Sequence, residues 1–371
     1  MTRPAAPARR HESVGIVGAG IFGICAALEL TAIGVAVTLY EKRADILNGT
    51  TARNCFRLHR GYHYPRDLHT ARQARDGYLS FSRVFREAIV QDAPHRYAIA
   101  ATGSQTTAEG FHRHCEQLDI RARHVRLPIL NPETVVACFE VDEAYYDVGL
   151  LRRLSWQRLG RAHVPVELSC TRTARSIEQA HDVVVITAYG ALNQVLLELA
   201  CPTMEVQFEV CEVPIVHAPG LHRSSVVVMD GPFMSIAPYG DDLHLLYDVI
   251  HSVRSRTVGH ASPEGHGHLG AWTAPLPTST RFAPIVASAQ RFVTPLADVR
   301  HVGSMFAERV VLADVDQTDA RPTVVRWVTP SVISVLSGKV STSIDAARSV
   351  AVAIAKKFGL PGPKPADLPA D

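Results

Sequence analysis

Three glycines near the start of the chain constrain its fold more than any other feature. Residues 14–41 read VGIVGAGIFGICAALELTAIGVAVTLYE, in which Gly18, Gly20 and Gly23 form the pattern G-x-G-x-x-G. The apolar run before Gly18 predicts a buried parallel strand, and apolar residues at helical spacing after Gly20 predict a helix. A second apolar run predicts another strand, which ends at Glu41. This order of strand, glycine turn, helix, strand and acid predicts a dinucleotide-binding unit.

Each part of the turn has a physical task. Gly18 permits the tight turn, Gly20 lets a pyrophosphate approach the backbone, and Gly23 lets the helix pack closely on the strand. The first helical residues, Ile21 and Phe22, offer free N–H groups to the anion. The structural alternative is a set of glycines that serve packing alone.

Glu41 and the following Lys42 are predicted to lie at the adenosine ribose. A carboxylate at the end of the second strand accepts hydrogen bonds from the ribose hydroxyls. This acid favours an unphosphorylated ribose, as in FAD or NAD, over the phosphorylated ribose of NADP. The motif by itself leaves the choice between FAD and NAD open.

The composition excludes several classes of protein. The chain has 371 residues, with 38 basic and 36 acidic side chains and a net charge of +2. This balance gives no electrostatic case for a nucleic acid, so we expect a polar or anionic small molecule as the partner. The seven cysteines are widely spaced without a C-x-x-C pair, which predicts no metal site, no disulfide scaffold and a cytoplasmic location. No apolar run reaches the ~18 residues that a membrane span requires, and the oligomeric state stays open.

A polar segment follows where an NAD dehydrogenase would continue with strands and helices. Residues 48–67 read NGTTARNCFRLHRGYHYPRD, which by composition alone could be a solvated loop with aromatic anchors. The pattern Thr-x-x-Asn followed by His-x-Gly-x-x-Tyr resembles the D-amino-acid oxidase superfamily of FAD proteins, with glycine oxidase, sarcosine oxidase and L-2-hydroxyglutarate dehydrogenase among its members. The resemblance implies FAD as the cofactor and places Thr51, Arg53 and Asn54 beside it.

The resemblance continues along most of the chain in the expected order. Segments similar to elements of the superfamily lie at residues 143–160, 164–170, 181–191, 233–249, 321–322 and 334–355. Superfamily members contact the adenine through the strand that Val166 represents here. Their pyrophosphate passes near the turn represented by Ala188 and Gly190. These matches imply FAD rather than NAD.

The fold implied by the resemblance is α/β. It has a Rossmann-type, glutathione-reductase-like FAD-binding domain and an inserted α+β substrate lobe that contains an antiparallel sheet. We expect a discontinuous FAD-binding domain made of residues 11–80, 141–204 and 301–360. The substrate domain is expected at residues 81–140 and 205–300, and a flexible tail at residues 361–371.

Three residues are predicted to be catalytic. The superfamily holds a substrate carboxylate with the arginine of an Arg-Pro pair, which implies Arg321 here. Its loop before the last helix stabilises negative charge at flavin N1 and O2, which implies Gly338 and Lys339. His59 is predicted to take a substrate proton or to contact the flavin edge. The alternatives are a surface arginine before a turn proline, a solvated lysine and a structural histidine.

The leading functional hypothesis is FAD-dependent oxidation of a C–N bond in a small polar amine or amino acid, by hydride transfer to flavin N5. His63 and Tyr64 complete the predicted substrate contacts. The rival is oxidation of a C–OH group in a hydroxy acid or sugar-like molecule, which the similarity of His59 and Gly61 to the hydroxyglutarate enzyme favours. A hypothesis of another class is a non-catalytic nucleotide-binding protein.

Overall fold

A computed structural model describes residues 12–240, 242–261, 279–313, 315 and 317–363. Most of the predicted flexible tail therefore lies outside the described residues. The helices are α1 (Ile21–Ala32), α2 (Leu68–Val84), α3 (Ala108–Gln117), α4 (Val148–Arg161), α5 (Ala174–Ala180), α6 (Leu192–Glu198), α7 (Phe282–Gln290) and α8 (Ser343–Phe358). No helix in these ranges is long and apolar enough to cross a membrane.

Within the described residues, the strands fall into three sheets. They are β1 (Ser13–Val17), β2 (Ala36–Tyr40), β3 (Arg57–Leu58), β4 (Ile89–Val90), β5 (His95–Ala100), β6 (Ala122–His124), β7 (Val135–Val141), β8 (Ala144–Tyr146), β9 (Val166–Glu167), β10 (Val183–Ile186), β11 (Val206–His217), β12 (Ser225–Met229), β13 (Met234–Pro238), β14 (Leu243–Asp248), β15 (Val253–Gly259), β16 (Arg300–Leu312), β17 (Val324–Thr329) and β18 (Val332–Leu336).

The first sheet is the predicted Rossmann-type sheet. Its order is β17-β18-β10-β1-β2-β9, and all neighbours are parallel except the edge pair β17–β18. β10 and β18 are buried over their whole length, as expected of strands covered on both faces. α8 packs on α1 through its buried face, which includes Ala347, Val350, Ala351 and Ile354.

The second sheet has nine strands and is mostly antiparallel. Its order is β15-β11-β14-β13-β12-β5-β7-β6, with β16 paired to β11, and only β12 and β5 run parallel. β13 and β14 form a hairpin within residues 233–249, one of the segments similar to the superfamily. The observed sheets confirm the predicted α/β class with an antiparallel second sheet.

Strand β16 crosses the expected domain boundary. Residues 301–360 were expected in the FAD-binding domain, but β16 pairs with β11 from Val206 to His217 and so belongs to the large sheet. The reason is long-range pairing, since β11 and β16 are separated by more than eighty residues. A third sheet, β3-β8-β4, carries the polar segment that follows the nucleotide motif.

Candidate functional site

A cavity of about 420 Å³ opens at the carboxyl ends of β1, β2, β10 and β18. This edge of a parallel sheet is where nucleotides bind in such folds, because the strand order reverses around β1. Many of the predicted site residues line it, namely Gly18, Gly20, Ile21, Phe22, Glu41, Lys42, Thr51, Asn54, His59, Ala188, Gly190, Gly338 and Lys339. Residues far apart in sequence therefore meet in one cavity.

The other predicted site residues lie outside the cavity lining, which does not include Gly23, Arg53, His63, Tyr64, Val166 or Arg321. Gly23 packs α1 against the Gly18 turn. Arg53 donates to the carbonyl of Asn48, 3.0 Å away. Val166 pairs with Leu39 in the sheet.

The nucleotide end of the cavity is built from α1 and β2. Gly20 is the N-cap of α1 and supplies no side-chain cap, so the N–H groups of Ile21 and Phe22 have no partner within the helix. Gly18 has a φ of +107°, a backbone conformation that favours glycine. Together these features form an anion-binding helix start.

The Glu41 carboxylate is held in place by backbone donors. Oε2 accepts from the Ala19 N–H at 2.9 Å, and Oε1 accepts from the Arg43 N–H at 2.9 Å. A carboxylate has about four lone-pair sites, so acceptor capacity remains for two hydroxyl groups. The side chain is buried at the cavity wall, as a ribose-binding acid requires.

Asn54 organises the loop that forms the middle of the cavity. Its Nδ2 donates to the carbonyl of Thr50 at 2.8 Å and approaches the Tyr146 hydroxyl at 2.6 Å, while its Oδ1 accepts from the Phe56 N–H. The Tyr146 hydroxyl donates in turn to the carbonyl of Thr51 at 2.8 Å. The Asn54 side chain thus fixes the loop against β8.

Lys339 follows β18, which lies on the other side of β1 from β2 and Glu41 in the sheet order, and it lines the same cavity. Its Nζ is 4.8 Å from the centroid of the Tyr64 ring. Burial, together with the nearby charges of Arg321, Arg309 and Arg57, lowers the pKa of Lys339 to about 7. The side chain can therefore hold or release a proton near neutral pH.

Three aromatic side chains of the polar segment pack together behind Lys339. The ring of His59 is 5.5 Å from that of His63, which is 5.3 Å from that of Tyr64. Burial and the charges of Lys339 and Arg57 lower the pKa of His59 well below its ordinary value. Burial also lowers the pKa of His63 to about 3. Both imidazoles are neutral at pH 7, and His59 alone of the three lines the cavity.

Arg321 is close to the cavity but engaged elsewhere. A Cβ at Gly338 would clash with the Arg321 carbonyl oxygen, so the two residues are in direct contact. The guanidinium donates to Asp319 Oδ1, with an N–O distance of 2.7 Å, and to the Ala320 carbonyl. Burial would raise the pKa of Asp319, but Arg321 and neighbouring cations bring it below its ordinary value. The predicted grip of Arg321 on a substrate carboxylate stays a prediction.

Arg57 is a cavity residue that the sequence analysis did not select. Its Nε lies 3.7 Å from Glu143 Oε2, and Glu143 also accepts from the Tyr97 hydroxyl at 2.8 Å and the Arg60 N–H at 3.0 Å. The Nη2 of Arg57 is buried and has no hydrogen-bond partner among the described residues. The side chain of Arg57 lines the cavity, and its positive charge acts on Lys339.

Other lining residues were also missed, including Arg43, Gly49, Thr50, Arg172, Thr187, Tyr189, Gln194 and Glu308. Arg57 and Thr50 lie within the polar segment that the sequence did single out, so a finer match to that segment could have found them. Glu308 has no local signal, because it reaches the cavity only through the pairing of β16 with β11.

FAD fits the residues present. The uncapped helix start would meet the pyrophosphate and the fixed carboxylate of Glu41 would meet the ribose, and Asn54 and Lys339 line the same cavity. Residues Arg172, Ala174, Ile177 and Gln194 extend the opposite end and would surround an adenine.

Comparison with known proteins supports this assignment. The family model described as "FAD dependent oxidoreductase" matches residues 13–309. The chain is similar to glycine oxidase from Geobacillus kaustophilus, with a TM-score of 0.64 and 14% identity over 91% of this chain and 93% of that chain. It is also similar to the L-alpha-glycerophosphate oxidase from Mycoplasma pneumoniae with FAD bound, with a TM-score of 0.67 and 15% identity over 96% and 97% of the two chains. At these identities the likeness concerns the fold.

Curated relatives are fungal. The chain is 29% identical to "FAD-dependent monooxygenase kojA" of Aspergillus flavus over 258 residues, which are 61% of this chain and 58% of the relative. It is 41% identical to "FAD-dependent monooxygenase FPY4" of Fusarium mangiferae over 76 residues, which are 20% of this chain and 21% of the relative. The match thus spans less than two thirds of the length of either relative.

Proposed function

This chain belongs to the family of FAD dependent oxidoreductases, within the D-amino-acid oxidase superfamily that its motifs indicated, and we propose that it oxidises a C–N bond of a small polar amine or amino acid. When bound, FAD supplies the hydride acceptor for such a reaction. The residues of the chain have to bind the substrate, present it as a neutral amine and exclude water.

The observation that carries the proposal is the lowered pKa of Lys339. Burial and three arginines, Arg321, Arg309 and Arg57, bring this pKa from 10.5 to about 7. A substrate ammonium at the same end of the cavity experiences the same desolvation and positive charge, so it too loses its proton more readily. The resulting lone pair on nitrogen can assist the departure of hydride from the adjacent carbon.

Arg57 supports binding of an anionic group on the substrate. Its side chain lines the cavity and is held by an ion pair with Glu143 at 3.7 Å, so a carboxylate there can approach the guanidinium. Arg321 would first have to leave Asp319. We therefore assign the carboxylate contact to Arg57 and give Arg321 the role of holding Asp319 beside Lys339.

A second candidate is oxidation of a C–OH group. Its support is that Lys339, when neutral, can accept a hydroxyl proton. A hydroxyl is a far weaker acid than an ammonium, so the same surroundings favour the amine more strongly. The curated relatives carry the name monooxygenase, which makes oxygen insertion a third outcome to be measured.

The test mixes FAD-loaded protein, in the absence of oxygen, with 2-amino acids and with the 2-hydroxy acids of the same carbon skeleton. We expect the visible flavin absorbance to bleach with amino acids, with release of ammonia and a 2-oxo acid. Bleaching by the hydroxy acids alone would favour the second candidate. Bleaching only after a nicotinamide donor is added, with a hydroxylated product once oxygen is admitted, would contradict both.

A further inference from the structure

Glu308 reaches the cofactor cavity from the large sheet. It lies on β16 opposite Val210 of β11, yet its side chain lines the cavity. The strand is anchored there by the Thr50 hydroxyl, which donates to the Glu308 carbonyl at 3.4 Å, and by the Tyr189 hydroxyl, which accepts from the Val310 N–H at 3.0 Å. The position of Glu308 is therefore fixed by two cavity loops.

The Glu308 carboxyl group lies directly against Gly190, in the turn predicted to pass the pyrophosphate. A Cβ at Gly190 would be 2.6 Å from Oε2. Oε1 is buried and has no hydrogen-bond partner among the described residues. The charged and titratable groups that face it are Lys42 and Arg43 from the segment after β2 and Tyr189 from the turn after β10.

A carboxylate at this place and a bound diphosphate would repel each other. Burial already raises the pKa of Glu308 to about 7, although Lys42 and Arg43 act to lower it. The negative charge of the cofactor raises it further. A protonated carboxyl group, in contrast, has a donor to offer to an oxygen of the cofactor.

We propose that Glu308 binds FAD as the neutral acid, donating a hydrogen bond to an acceptor oxygen of the cofactor, so that FAD binding takes up a proton. This inference concerns the cofactor and holds whichever substrate is oxidised.

The direction of the pH effect follows from linkage. Below pH 7, Glu308 is protonated with and without FAD, so its titration does not make FAD affinity depend on pH. Above pH 7, the FAD-free protein loses the proton and the complex keeps it. The Kd for FAD then rises by up to about tenfold per pH unit until the pKa of the complex is reached.

The experiment measures FAD binding to the FAD-free protein by quenching of flavin fluorescence between pH 6 and 9. Calorimetry at pH 8 in two buffers of different ionisation enthalpy counts the protons taken up. For the natural chain we expect a rising Kd and uptake approaching one proton. For Glu308→Gln, whose amide is an uncharged donor at every pH, we expect a nearly constant Kd that is lower than that of the natural chain at pH 9.

Two variants separate Glu308 from its surroundings. Glu198→Gln removes a carboxylate from the adenine end of the same cavity and should keep the natural pH dependence. Lys42→Met tests the other group near Glu308 whose protonation FAD could change. The proposal is overturned if the natural chain takes up no proton at pH 8, a result that needs no variant. It is also overturned if the slope persists in Glu308→Gln and disappears in Lys42→Met.

Discussion

At the scale of single residues, the two arginines near Lys339 differ in their access to the cavity. Arg57 lines the cavity, whereas Arg321 lies outside its lining and is paired with Asp319. Arg57→Lys should raise the KM for a carboxylate substrate by roughly 10- to 100-fold, the equivalent of one charge-assisted hydrogen bond. Arg321→Lys, which can keep a charge beside Asp319, should change it little. Steady-state kinetics measure the KM of each variant. A larger rise in KM for Arg321→Lys than for Arg57→Lys would assign the substrate carboxylate to Arg321.

Lys339 should influence the flavin itself. Its ammonium group lies at the loop that the resemblance places against flavin N1 and O2, and it favours the reduced, more negative form. At pH 6.5, where the ammonium form prevails, Lys339→Met should lower the midpoint potential by about 30 mV, or about 1.4 kcal/mol for a two-electron couple. Spectroscopic titration against a reference dye measures this. Lys42→Met, at the ribose end, is the matched control. Equal midpoint potentials in the two variants would show that Lys339 does not act on the flavin ring.

At the scale of elements, helix α2 limits the position of the loop that carries Lys339. A Cβ at Gly77 would lie 2.7 Å from the Ser341 carbonyl oxygen and 2.9 Å from the Thr342 Cα. These are backbone atoms that cannot give way without moving the loop. The close approach of α2 therefore restrains the loop of residues 337–340, which is predicted to contact the cofactor.

Gly77→Ala should consequently destabilise the protein by about 1–3 kcal/mol and weaken FAD binding, although alanine is the better helix former. Gly160→Ala is the matched control, because Gly160 lies in α4 with nothing within 4 Å of its added Cβ. For Gly160→Ala we expect the free energy of unfolding to rise by up to about 1 kcal/mol. Urea unfolding and FAD titration of both variants check the opposite signs. Equal effects would show that α2 does not restrain the loop.

Local elements were the most predictable from sequence. The strand, helix and strand around Gly18 appear where the motif placed them, and Asp147 caps α4 by accepting from the Leu150 N–H at 2.8 Å. Each depends on residues a few positions apart. The pairing of β16 with β11 was not predictable in this way, because apolar patterning identifies a strand without identifying its partner.

At the scale of the whole molecule, buried neutral histidines make stability depend on pH. Burial lowers the pKa of His63 and His95 to about 3, that of His244 to about 4 and that of His59 well below 6.5. The unfolded chain protonates each of them near pH 6.5, so stability present above that pH is lost as the pH falls toward the folded pKa. Glu308, with its raised pKa, acts in the opposite direction between about pH 4.5 and 7.

The FAD-free protein should therefore lose stability between pH 6.5 and 5, by about 1.4 kcal/mol per pH unit for each such histidine. His244→Leu should reduce that slope by one proton, since both ring nitrogens of His244 are buried without a partner among the described residues. Urea unfolding at several pH values measures the slope. A slope unchanged by this variant would mean that His244 is protonated in the folded protein.

The sequence by itself determined the nucleotide half of the site. Gly18, Ile21 and Glu41 belong to one contiguous segment, so backbone geometry and short-range hydrogen bonds fix their positions relative to one another. The tertiary structure decided the rest. It brings Arg57 to the cavity, pairs Arg321 with Asp319 and places Glu308 beside Gly190. Burial and long-range pairing are properties of the packed chain. They determine the protonation states of side chains, which a sequence motif does not reveal.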